Sequence, residues 1–171
     1  MRTFDEIRAD VNHAMSINDA DALMVLATEL DALQSPQAEA LARRSRGLAL
    51  YCRSDFPEAL SHLQSALEVY SELGDRRGVA SVTGNIGSVH SKTGDYPEAL
   101  SHLHRALTAF EELGNRRGVA SVTGNIGIVH DSTGNYPEAL EVLQRFRVVS
   151  GVVVHAADVD HAVLLRADRR A

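Results

Sequence analysis

The sequence has no tryptophan, one cysteine and four prolines in 171 residues, and only 5% of it is aromatic. A lone Cys52 cannot close an internal disulfide, so no oxidised framework holds the fold. Scarce aromatics and breakers, beside abundant alanine and leucine, favour helix over sheet. No apolar run reaches the length of a membrane span. The opening Met1-Arg2-Thr3-Phe4-Asp5-Glu6-Ile7 is acidic and amphipathic, unlike a secretory leader. Positive charge is also short: the formal net charge of −6 argues against a general nucleic-acid binder, which needs a basic surface. A cytoplasmic protein with neither membrane nor nucleic acid as partner is the expectation. The 44% of hydrophobic residues is enough for a packed core.

The chain does contain a repeat. Residues 77–100 and 117–140 are identical at 20 of 24 positions, at an offset of 40. The same offset links Pro57, Pro97 and Pro137, each opening Pro-Glu-Ala-Leu. Such self-similarity marks a tandem array of one supersecondary unit. Each unit reads as two helices. One runs from the Arg76-Arg77 or Arg116-Arg117 pair to about Lys92 or Ser132. A turn with glycine at Gly94 or Gly134 follows, and the second helix opens on proline, whose missing N–H costs nothing there. Positions 99, 100, 103, 106, 107 and 110 are apolar at helical spacing. A weaker unit covers about 37–73, and residues 3–16 and 20–33 form a degenerate pair around Asn18-Asp19.

Asn85-Ile86-Gly87-x-x-His90, Gly94-x-Tyr96, Ala99, Leu103 and Ala106 resemble the spaced tetratricopeptide (TPR) consensus. The 40-residue period is similar to that of Pins/LGN-type scaffolds, kinesin light chains and bacterial signalling TPR proteins. The resemblance implies an all-α, right-handed α-solenoid of about four antiparallel helix pairs. It divides the chain into an N-terminal pair at 1–36, three repeats at 37–145 and a divergent tail at 146–171, either a capping helix, the stub of a longer chain or a dimerisation element. Three departures stand out. His90 and His130 replace the usual tyrosine. Arg46 stands where later units have Ile86 and Ile126, implying a frayed or specially used helix, and the pattern stops after Arg145.

By the same resemblance, the first helix of each unit lines a concave face that holds a protein or peptide. The inward positions are Leu41, Arg44, Ser45, Leu48 and Tyr51; Ser81, Gly84, Asn85, Ser88 and Ser91; and Ser121, Gly124, Asn125, Ile128 and Asp131. Asn85 and Asn125 are candidates to grip the backbone of an extended segment, or else to bridge neighbouring helices. Arg44, Arg77 and Arg117 are candidates to read carboxylates, or else to pair with glutamates such as Glu72 and Glu112.

Catalytic patterns are missing. His62/His102 and His90/His130 recur with the repeat, which reflects duplication, and His155, Asp158, Asp160 and His161 are the nearest approach to a metal-ligand group. There is no phosphate loop and no nucleophile–base constellation. The expectation is a non-enzymatic scaffold without metal or cofactor, binding an extended acidic segment. The alternative is a self-associating regulatory module of a larger signalling protein, dimerising through the tail or by repeat exchange.

Overall fold

A computed structural model describes residues 2–135 and 137–138. Among them are seven helices and no strand: α1 Phe4–Ser16, α2 Ala20–Asp31, α3 Pro36–Cys52, α4 Phe56–Glu72, α5 Arg76–Thr93, α6 Tyr96–Glu112 and α7 Arg116–Ser132. They form three pairs plus the first helix of a fourth. Apart from residues 137–138, the second helix expected after α7 and the tail at 146–171 lie outside the described residues, as do His155, Asp158, Asp160 and His161.

The helix starts follow two recipes. Thr3 closes a capping box with Glu6, and Asp19, Ser35, Asp75 and Asn115 each accept from a backbone N–H three residues on. The second helices α4 and α6 have no side-chain cap and open instead on Pro57 and Pro97. The chain between α5 and α6 turns through Gly94 at φ 82°; forty residues earlier the same left-handed turn is made by Ser54 at φ 64°.

Three clusters make the core, and each joins a helix pair to the first helix of the next unit. Ile7, Val11, Leu23, Leu30 and Leu41 tie α1 and α2 to α3. Leu63, Ala66 and Tyr70 pack with Ala40 on one side and Val82, Ile86 and Val89 on the other. Leu103, Ala106 and Phe110 do the same between Ala80 and Val122, Ile126 and Val129. No unit buries its apolar face alone, which is why the fold propagates as a stack. Close approach within a pair depends on glycine: a Cβ on Gly87 would lie 2.8 Å from Leu103 Cγ and 3.1 Å from the Ala99 carbonyl, and one on Gly47 2.7 Å from Leu63 Cγ.

Arg46 does not fray its helix. α3 is continuous, and the Arg46 guanidinium reaches back to Asp31 on α2, replacing the apolar contact that Ile86 and Ile126 make in later units.

Candidate functional site

The first helices α1, α3, α5 and α7 line one groove of about 830 Å³, with Tyr70, Leu73 and Phe110 from the ends of the second helices at its edge. Stacking at a fixed repeat puts every fortieth residue on the same face. Of the residues marked by sequence, Arg44, Arg77, Ser81, Asn85, Arg117, Ser121 and Asn125 come together there. Ser45, Leu48, Ser91, Gly124 and Asp131 of the inward set do not line it, and neither do Tyr51, Ser88 and Ile128, so the set needs correcting at these positions. The last three sit one or two turns further along their helices, where Tyr51 meets Phe56 with ring centroids 6.2 Å apart and Ile128 is 56% exposed.

The groove's charge opposes that of the chain. Its lining carries Arg8, Arg44, Arg77 and Arg117 against a single carboxylate, Asp75, in a protein of net charge −6. Asp75 is partly committed, since its side chain caps the Gly78 N–H at 2.9 Å. Arg8 pairs with Asp5 at 2.8 Å and lies over the Phe4 ring. Arg44, Arg77 and Arg117 have no carboxylate partner within ion-pair distance among the described residues. Glu112 is taken by Arg76, the neighbour of Arg77.

The arginine-rich stretch of α3 and its end separates in the same way. Arg43 pairs with Glu39, Arg46 with Asp31 and Arg53 with Asp21. Arg44 turns into the groove, where the Tyr70 hydroxyl and the Asp75 carboxylate lie near its guanidinium. Burial pushes the Arg44 pKa below its usual value, opposed by Tyr70, and nearby Arg77 pushes it the same way. Burial likewise raises the Tyr70 phenol. Arg44 Nε is buried and has no hydrogen-bond partner.

The two asparagines differ. Asn125 Nδ2 donates to Ser88 Oγ at 3.0 Å, so it bridges α7 to α5. Forty residues earlier the acceptor's place is held by Leu48, which has nothing to offer, and Asn85 Nδ2 is buried and unpaired. The serines are mostly turned to their own helices: Ser81 Oγ donates to the Arg77 carbonyl and Ser88 Oγ to that of Gly84. Gly124 has open space where a Cβ would be, and one on Gly84 would make only ordinary contacts, 3.4 Å to Val122 and 3.6 Å to Ala106.

Sequence reasoning did not find the contribution of α1 (Phe4, Arg8, Asn12, Met15 and Ser16) because the first pair lacks the repeat's motif. Tyr70 and Phe110 were findable: each stands eight residues before a glycine, and a Cβ on Gly78 or Gly118 would fall 2.3 Å or 2.5 Å from those rings. No group of three or more potential metal ligands converges among the described residues.

The family model for the tetratricopeptide repeat matches residues 37–103 and 78–146, well over half of the chain. This chain belongs to the tetratricopeptide repeat family. Its helices superpose on solved TPR-like structures. A Rap protein complexed with competence and sporulation factor matches with a TM-score of 0.74 and 22% identity, over 87% of this chain and 44% of that one. Aspartyl phosphate phosphatase F from Bacillus subtilis gives 0.73 and 15%, over 88% and 41%. A kinesin light chain-like protein with nearly identical TPR-like repeats, from Podosopora anserina, gives 0.62 and 12%, over 91% and 80%. The TPR chain thus spans less than half the length of the first two, and at these identities the likeness concerns the fold. No curated protein matches the sequence significantly. Family and fold make this TPR protein a protein-interaction scaffold. No described helix is long and apolar enough to cross a membrane.

Proposed function

We propose that the protein holds an extended, acidic segment of another protein along the inner groove and catalyses no reaction itself. The observation that carries this is the groove's charge: four guanidinium groups face one carboxylate inside an otherwise acidic chain. Arginine donates two parallel hydrogen bonds to a carboxylate, so Arg44, Arg77 and Arg117, spread over three units, suit acidic side chains spaced along one strand of peptide. Asn85 offers an unpaired amide to the segment's backbone, whereas Asn125 must first give up Ser88. Open space at Gly124 lets that backbone approach. The Rap protein of similar fold was crystallised with competence and sporulation factor, which supports a bound factor as the kind of occupant. A cytoplasmic setting fits the exposed free thiol of Cys52.

Panning a random peptide library on the full chain tests the reading. Recovered peptides should be rich in Asp and Glu, and Arg77→Glu with Arg117→Glu should abolish their enrichment. Recovery of neutral or basic peptides, or enrichment that survives the charge reversal, refutes it.

A further inference from the structure

We infer that the stacked His90 and His102 rings form a proton-operated latch between α5 and α6, shut while the pair is neutral and forced open when both rings are charged. The latch belongs to the middle unit and acts on α5, the helix that carries Arg77 and Asn85 into the groove.

Two features of the contact make a proton its effector. His90, in the last turn of α5, and His102, in the second turn of α6, lie parallel, with centroids 5.6 Å apart and planes within 3°. Neutral imidazoles are stable in that arrangement, whereas two imidazolium ions so close repel each other. Hydrogen bonding supplies the second feature. His102 Nε2 lies 3.4 Å from Glu98, which leaves Nδ1 to receive the added proton. That Nδ1 is buried and has no hydrogen-bond partner. Protonation therefore creates a sealed N–H without an acceptor, and moving α6 off α5 lets water reach it.

The surrounding charges accommodate one proton better than two. Asp95, in the turn, lies 3.6 Å from His90 Nδ1 and stands as counter-ion for a charged His90. A second proton, on His102, meets burial first, then His90 and Arg105, and Glu98 opposes them. α7, packed on the other side of α6, meets it through apolar Val122, Ile126 and Val129.

The repeat shows that the fold does not need this pair. The 40-residue register places Leu50 and His62 at these positions in the unit before, and His130 and Val142 in the unit after. Each of those units has one histidine beside one apolar residue and cannot gather two charges. The middle unit, between them, can.

Amide hydrogen exchange on the full chain at about pH 7.5 and about pH 5.5, with NMR titration of the histidine rings, tests the latch. Protection at the end of α5 and the start of α6, relative to α1, α2 and α3, should fall roughly tenfold or more at the lower pH. His102→Val, copying Val142, should abolish that local loss, and His90→Leu, copying Leu50, should shrink it roughly threefold or more. In His90→Leu the remaining His102 should also titrate at higher pH than in the parent chain, because a like charge has gone. A loss of protection spread evenly over α1–α7, a loss unchanged in His90→Leu, or a His102 titration that does not move up would overturn the latch.

Discussion

Three mid-helix glycines in the repeat should respond in opposite ways to the same substitution. Replacing glycine by alanine inside a helix stabilises by about 0.5–1 kcal/mol through backbone entropy when space allows. Gly124 has nothing within 4 Å of a new Cβ, and Gly84 meets only Val122 at 3.4 Å and Ala106 at 3.6 Å. Both should gain about that amount. At Gly87 the Cβ would sit 2.8 Å from Leu103 Cγ and 3.1 Å from the Ala99 carbonyl. Leu103 is fully buried and the carbonyl is backbone, so neither can move without separating α5 from α6. Overpacking of this kind costs roughly 1–3 kcal/mol and more than cancels the entropic gain. Gly124→Ala and Gly87→Ala should therefore differ by about 2 kcal/mol, and urea denaturation with a shared slope resolves that. A Gly87→Ala variant as stable as Gly124→Ala would refute the account of how the paired helices approach.

Ser54 occupies the left-handed turn position that glycine holds at Gly94 and Gly134, so Ser54→Gly should stabilise by about 0.5–1 kcal/mol in the same urea assay. Leu48→Ser supplies the acceptor that Asn85 lacks; acidic-peptide affinity measured by fluorescence anisotropy should fall about fivefold, equivalent to roughly 1 kcal/mol. His102 stacks on His90 with ring centroids 5.6 Å apart and faces Glu98 and Arg105, while Asp95 lies by His90. Burial first, then His90 and Arg105, holds its pKa below the usual 6.5, so the unfolded chain binds the proton first. Its contribution is fully present above 6.5 and is lost as pH falls through the folded value. His102→Val, copying Val142, should flatten the loss of stability between about pH 7 and about pH 5 seen in thermal melts.

The fold was legible because the repeat is written in residues that pack: Gly87, Ala99, Leu103 and Ala106 recur in meaning as well as spacing, and all are buried. Those positions specify a helix pair whatever surrounds it. The inner face was legible where the register carries over, at Asn85, Asn125, Arg77 and Arg117. It was less so where a residue's fate depends on its neighbours. Arg44 and Arg46 are two residues apart in one basic stretch, yet one turns into the groove and the other pairs with Asp31, a partner on a different helix. Asn85 and Asn125 sit in identical local sequence, and what separates them is residue 48 against residue 88 in the preceding unit. Periodicity gives the face of a helix, but the partner of a polar group is a tertiary fact. The contribution of α1 was hidden for a related reason, since Phe4 and Met15 reach the groove from a pair that has lost the motif.

A structure of the full chain with the tightest-binding acidic peptide tests the central claim most directly. The account predicts an extended segment along α1, α3, α5 and α7, with acidic residues near Arg44, Arg77 and Arg117 and its backbone on Asn85. A peptide seated on α2, α4 and α6, or one in the groove whose carboxylates avoid these arginines, would contradict it.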